Sequence, residues 1–357
     1  MRPMRLVCCA AGFTAVALSC APVFASEWGD SLRQPPARNV PRNTISAVSI
    51  SDPVAVDLVL KMLAAQRTLA YTGVQTTTLY TTSGTTTTSE QSITRNGLQG
   101  MRMDYLSPES LAGERRGDNG RFLWHYVPNR KQVEQLPSAI GRLRSEANRA
   151  ATAVRRAEIG VKVISDDTVA GRRATIVQAS PTAIGNAGSR RFWIDPTNGA
   201  QLRIIVYRPD GSPVSDSYFT QISYNPQFEP TVFEPPSDTV IVPRRVDRPF
   251  KSVKQIPPGI VPSLKFDPVE PSYLPAGFRF DTAQMFDYKG NPALGVRYGN
   301  GLTVMSIYEA PAPAAGTASR YKVSRPGMLT GVIGGIKIVL LANIETNELI
   351  RVFQSLR

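Results

Sequence analysis

Beyond residue 20 the chain has no cysteine; its three cysteines are Cys8, Cys9 and Cys20, and it has one histidine, His125. Nor does it have an apolar run, after the first 25 residues, of the ~20 residues that a membrane-spanning helix needs. Each absence removes a class of chemistry. A chain that loses its cysteines with a leader has no thiolate nucleophile and no disulfide framework. One histidine and no cysteine leave no ligand set for the tetrahedral sites that hold zinc. A Ser-His-Asp group needs a histidine that takes a proton. His125 sits between Trp124 and Tyr126 in a predicted strand and reads as a strand residue with a satisfied imidazole. Calcium loops need several carboxylates close together; Asp166-Asp167, and Asp195 with Asn198, are too sparse. Gly331, Gly334 and Gly335 lack the Lys-Ser/Thr ending of a phosphate loop and read as a tight turn before a strand. A carboxylate pair for glycoside hydrolysis has no spacing rule, and no pair stands out. The expectation is a protein that binds rather than catalyses, with no cofactor and no metal.

What is present begins with a leader. Arg2 and Arg5 precede an apolar, alanine-rich stretch over 6–18, and Val23-Phe24-Ala25 supplies small residues where a signal peptidase reads. Cleavage after Ala25 is expected, sending the chain to the periplasm. Cys20 as a lipidated residue is the alternative, although Ala17-Leu18-Ser19-Cys20 fits that pattern poorly. The formal charge is +13, and subtracting the two leader arginines leaves +11. In an exported protein such charge meets anionic lipid, cell-wall polymer or acidic protein rather than nucleic acid. The densest basic run, over 142–156, includes Glu146 and reads as a solvated helix face.

Residues 26–50 carry Pro35, Pro36 and Pro41 without periodicity and read as a flexible tail. Ser51-Asp52-Pro53 caps a helix predicted over 54–69, with a stripe of Val54, Leu58, Leu60, Met62 and Leu63. Period-two patterns then predict strands over 71–82, 85–95, 100–105 and 121–127. A helix is predicted over 139–156, followed by strands over 161–165, 173–178, 191–194, 201–207 and 215–224. The sum is a sheet of roughly eight to ten antiparallel strands with two helices. Such a sheet, curled round a helix, can enclose an apolar cavity. Phe122, Trp124 and Tyr126 share one strand face, and Phe192 and Ile194 share another. They are the candidate ligand-lining residues, with core packing as their other reading. Prolines and basic residues over 239–265 mark a linker, and 266–357 reads as a smaller α+β domain, with paired strands over 294–298 and 302–309 and a helix over 345–356.

Phe192-Trp193-Ile194-Asp195-Pro196-Thr197-Asn198-Gly199, with Leu202-Arg203 and Asp210-Gly211, resembles the tryptophan–aspartate strand and hairpin of LolA/LolB-like lipoprotein carriers. Gly120 to Pro128 resembles an earlier strand of those domains, and Phe233-Glu234-Pro235 stands where their last strand ends. Leu274-Pro275-Ala276-Gly277-Phe278, followed by Arg297-Tyr298-Gly299-Asn300-Gly301-Leu302-Thr303-Val304-Met305-Ser306-Ile307-Tyr308-Glu309, is similar to the C-terminal domain of the MucB/RseB regulators. The domain order matches too, over about 51–357. The resemblance implies a half-open antiparallel β-barrel over 51–238 and a small α+β domain after it. It also implies a periplasmic regulator in envelope-stress signalling that binds the exported part of a membrane anti-sigma factor or a similar envelope protein. Lipid or acyl chains are the further ligand implied for the half-barrel. A carrier of lipids or lipoproteins is the rival reading, but it has no need of the second domain.

Overall fold

The computed structural model describes residues 51–81, 84–182, 187–229, 231–243, 264, 266–288, 291–312 and 320–357. The expected leader and tail, and all but the ends of the expected linker, lie outside the described residues.

Asp52 caps the first helix, α1 (Pro53–Thr68), by accepting a hydrogen bond from the Val54 amide at 2.9 Å. The buried stripe is Ala55, Val59, Met62 and Leu63. Of the expected stripe, Met62 and Leu63 are in this core and Leu58 and Leu60 pack against it, while Val54, in the first turn, is 60% exposed. Two meanders follow. The first is β1 (Ala70–Tyr80), β2 (Thr86–Asn96), β3 (Gly100–Ser107), β4 (Arg115–Asp118), β5 (Phe122–Val127) and β6 (Gln132–Pro137). The second is β7 (Ile159–Val169), β8 (Arg172–Pro181), β9 (Arg190–Ile194), β10 (Gln201–Tyr207) and β11 (Pro213–Tyr224). They join through antiparallel pairing of β1 with β11. With β12 (Val240–Pro243) added at one edge, the result is one sheet of order β12-β6-β5-β4-β3-β2-β1-β11-β10-β9-β8-β7.

Helix α2 (Ile140–Arg155) carries the chain from β6 to β7, near opposite edges of that sheet. Ten strand spacings separate these two strands, about 48 Å if the sheet were flat. A helix of 16 residues is only about 24 Å long. The sheet must therefore curl towards α2, and this makes it an open half-barrel. The tip of the β7–β8 hairpin records the curl: Arg172 lies over the Tyr224 ring of β11 at 4.2 Å, and Ala170 packs against the cluster of Tyr71, Ile93, Met103, Tyr105 and Phe219.

The observed sheet has twelve strands rather than eight to ten. The three strands beyond the nine read from the sequence are β4, β6 and β12; they are short and lack alternation. β4 reads Arg-Arg-Gly-Asp, and β12 (Val240–Pro243) lies inside the stretch expected to be linker. β12 pairs with β6 in parallel, so the sheet is not wholly antiparallel and residues 240–243 belong to it. At the other end of the expected linker, Leu264 is fully buried in the core of the smaller unit.

The start of α2 hangs on a buried carboxylate. Asp118, at the end of β4, accepts from the Ala139 amide at 2.7 Å, the Gly120 amide at 2.9 Å and the Ser138 hydroxyl at 2.9 Å. Asp118→Ala is expected to destabilise the protein by about 2 kcal/mol, combining a lost helix cap with buried donors left unpaired. Urea unfolding followed by circular dichroism measures it, and an unchanged midpoint would contradict this role for the carboxylate.

The smaller unit is a six-stranded sheet of order β13-β14-β15-β18-β17-β16. Its strands are β13 (Arg279–Tyr288), β14 (Asn291–Gly299), β15 (Val304–Pro311), β16 (Arg320–Arg325), β17 (Met328–Ile333) and β18 (Ile336–Ala342). Helix α3 (Thr346–Gln354) covers it through Leu349, Val352 and Phe353, which pack with Ile338 and Leu340.

Candidate functional site

The five candidate lining residues do not converge. Phe192 and Ile194 are fully buried among Ala55, Val59 and Met62 of α1 and Ala147, Ala150 and Val154 of α2. They form the floor on which the two helices rest. Trp124 is buried elsewhere: its indole Nε1 donates to the Phe233 carbonyl at 2.8 Å, so it anchors the strap that follows β11. Phe122 and Tyr126, on the same strand face as Trp124, are half-buried beneath Arg121 and Arg115 respectively. Gly117 gives the indole its bed, since a Cβ there would lie 2.3 Å from the Trp124 ring. Gly117→Ala is expected to cost about 1–3 kcal/mol by overpacking. A thermal unfolding midpoint equal to that of the unmodified protein would show that the indole can shift from this bed without cost.

The tryptophan–aspartate motif is structural. Asp195 accepts from the Thr197 amide at 2.9 Å and from the Tyr224 hydroxyl at 3.0 Å, closing the β9–β10 turn onto β11. That turn also receives α1, whose Lys61 Nζ donates to the Pro196 carbonyl at 2.6 Å. Trp193, on the opposite strand face from Phe192, donates its Nε1–H to Asp167 at 2.7 Å. His125 is likewise engaged, with Nε2 at 2.9 Å from Glu114 Oε2.

A small cavity of about 20 Å³ opens beside the C-terminal end of α1, lined by Ala65, Leu69, Tyr71 and Ile222 among others. That is room for a water molecule, whereas drug-sized ligands occupy about 300 Å³ or more. The curled face beside β1 is polar: Thr77 donates to Ser217 at 3.0 Å, and Gln75 and Gln91 are buried near it. Among the described residues no helix is long and apolar enough to cross a membrane.

The two units meet on α2, and part of the C-terminal sequence motif makes the joint. Asn300 accepts from the Leu302 and Thr303 amides at 2.9 and 2.7 Å, shaping the tip of the β14–β15 hairpin. Gly301 takes φ +86° there, and a Cβ would lie 2.9 Å from the Ala153 Cβ of α2. Leu302, fully buried, joins the apolar core beneath α1 and α2. Around this plug, Arg297 reaches Glu146 of α2 at 3.1 Å, Arg149 of α2 reaches Asp281 at 2.8 Å, and Arg279 reaches Glu158 at 2.9 Å. Burial pushes the Asp281 carboxyl up, and Arg149 and Arg297 oppose that shift. The basic run over 142–156 is thus more than a solvated face, since Arg149 and the buried Glu146 are part of the joint. The sequence pattern gives no sign of this, because partners more than 100 residues apart obey no spacing rule. Asn343 and Tyr207 add a bond across the seam, from Nδ2 to the carbonyl at 2.8 Å.

No protein-family model and no curated protein matches the chain. Solved structures do. MucB in complex with MucA(peri) aligns at a TM-score of 0.58 and 16% identity, over 85% of this chain and 98% of that one. The MucA/MucB complex of Pseudomonas aeruginosa aligns at 0.58 and 15% identity, again over 85% and 98%. MucB by itself aligns at 0.54 and 15% identity, over 86% and 98%. The likeness extends across both units and their order, so the chain has the MucB fold.

Proposed function

We propose that this chain, built on the MucB fold, is a non-catalytic regulator of the cell envelope that binds the exported part of a membrane anti-sigma factor or a similar envelope protein. The observation that carries this reading is the match of both units, in order, to MucB in complex with MucA over 98% of that structure. A carrier has no need of a second unit, and the joint on α2 holds that unit in place with a buried leucine and three ion pairs.

Lipid as a second ligand is the finer part of the proposal. An acyl chain entering the half-barrel has to part α1 and α2 from Phe192 and Ile194, because those side chains and the helices fill the same space. Moving α2 displaces the surface on which Leu302 rests, so lipid binding at that floor would reach the smaller unit mechanically. Phe122, Trp124 and Tyr126 lie away from that route, around the strap.

Native mass spectrometry of the protein drawn gently from its own envelope tests the proposal. The expected result is a co-purifying protein with one membrane span whose exported part, once purified, binds this chain and becomes resistant to protease. Exchangeable, stoichiometric acyl lipid without any protein would favour a carrier. A bare protein would leave the regulator reading without support.

A further inference from the structure

After β11 the chain crosses the sheet as a strap, described over 225–229 and 231–239, and a groove of about 320 Å³ opens beside it. Its walls are Asn96 and Gln99 of the β2–β3 turn, Asn119 of the β4–β5 turn, and Phe228, Glu229, Phe233 and Glu234 of the strap. Its shape is built in. The Phe233 ring lies so close over Gly100 that a Cβ there would come within 2.5 Å of it, and its carbonyl is held by Trp124. Phe228 and Phe233 have ring centroids 5.4 Å apart at 60°, giving the groove two aromatic surfaces. The volume is within the range that small ligands or single side chains use.

The unused hydrogen-bonding capacity of these walls states what fits. Glu234 is already engaged, with Oε2 accepting from Asn119 at 2.8 Å and Oε1 from Arg121 at 2.9 Å, but each oxygen keeps a lone pair. Asn96 donates to Gln99 Oε1 at 3.1 Å, which leaves its own carbonyl oxygen as an acceptor. Glu229 is exposed and makes no side-chain hydrogen bond or ion pair among the described residues. Glu234 thus has one arginine partner, whose side chain is 72% exposed, and Glu229 has none among the described residues. In a chain of formal charge +13, this groove is acidic, rich in acceptors and walled by aromatic rings. A neutral sugar needs a balance of donors and acceptors, whereas a cation with several N–H donors needs what the groove offers. A guanidinium suits it better than an ammonium, because it is planar, stacks on aromatic faces and presents five donors in a fixed fork.

We infer that this groove is a recognition site for an arginine side chain of a partner polypeptide, with Glu229 as its counter-charge and Phe228 and Phe233 as its stacking surfaces. The inference is independent of the anti-sigma reading, since any exported polypeptide with an exposed arginine would qualify.

The test uses the full mature chain and N-acetyl-arginine amide as probe, followed by NMR of the side-chain amides of Asn96, Gln99 and Asn119. The arginine probe is expected to shift these resonances with millimolar affinity and to weaken as salt is raised. N-acetyl-lysine amide is expected to bind at least a few-fold more weakly, and the neutral isostere N-acetyl-citrulline amide to leave the resonances unmoved. Glu229→Gln, at an exposed position that the fold does not depend on, is expected to lower the arginine affinity at least fivefold. Equal shifts with citrulline would show that charge is not read. Maltose shifting the same resonances where arginine does not would make this a sugar site. Either result, or no response to arginine, overturns the inference.

Discussion

Alanine at Arg203 is expected to destabilise the protein by about 3–5 kcal/mol, the usual cost of stranding one member of a buried ion pair. Arg203 of β10 grips Asp216 of β11 with two bonds, Nε at 2.8 Å and Nη2 at 2.6 Å, and the Asp216 side chain is 1% exposed. The same guanidinium lies 4.5 Å from the Trp193 ring centroid and 5.7 Å from that of Tyr218, so its removal also opens space between two aromatic rings. The damage falls where the second meander meets the first, because β11 pairs with β1. Replacing both partners by apolar residues, Arg203→Met with Asp216→Leu, is expected to recover most of the loss. No charge is then left unpaired, and the attraction between the partners had itself been offset by desolvation. Urea unfolding, with tryptophan fluorescence reporting on Trp193, measures all three proteins. A single variant that loses less than about 1 kcal/mol would show that water reaches Asp216 when its partner is gone.

The second large effect depends on pH. Glu309 of β15 is fully buried in the smaller unit; Oε2 accepts from the Val269 amide at 3.0 Å and Oε1 has no partner. Burial is the main influence on its carboxyl, which is pushed up to about 8 from 4.5; the Val269 bond opposes the shift and the charge of Glu270 adds to it. The folded protein therefore holds a proton that the unfolded chain has released once pH exceeds 4.5. Stability is fully present below that value and is lost as pH rises through about 8. The slope reaches at most about 1.4 kcal/mol per pH unit, for a total on the order of a few kcal/mol. Glu309→Gln keeps an acceptor for Val269 and removes the titration. It is expected to match the unmodified protein near pH 4.5 and to exceed it above pH 8. Denaturation midpoints taken across that range decide the matter, and parallel curves for the two proteins would mean that Glu309 is not the group responsible.

Much of the fold is legible in the sequence because its signals are local. Asp52-Pro53 marks the start of α1, the threonine-rich alternation marks β1 and β2, and Asn300-Gly301 marks the hairpin tip of the smaller sheet. What escapes is short or lies at an edge. β4 and β12 have four residues each, and β12 exists because β6 offers it a partner. A four-residue strand owes its shape to its neighbour, so its own residues need not alternate.

The candidate site was legible only as a set of aromatic residues. Strand alternation correctly groups Phe122 with Trp124 and Phe192 with Ile194, yet it cannot say that helices rest on one group while a strap crosses the other. Glu229, exposed on an irregular segment, carries no periodic signal at all.

By itself, then, the sequence determined the helices, most of the longer strands and the two-part order, because those follow from residue types and spacings of a few positions. The tertiary structure decided how far the sheet curls, which aromatic residues become core, and how α2 carries the smaller unit. It also placed Glu229 beside Phe228, Phe233 and Asn96. These outcomes depend on contacts between residues often more than 100 positions apart, as with Arg297 and Glu146. Such contacts are selected by packing, charge pairing and the length of a crossover helix, none of which leaves a period in the chain.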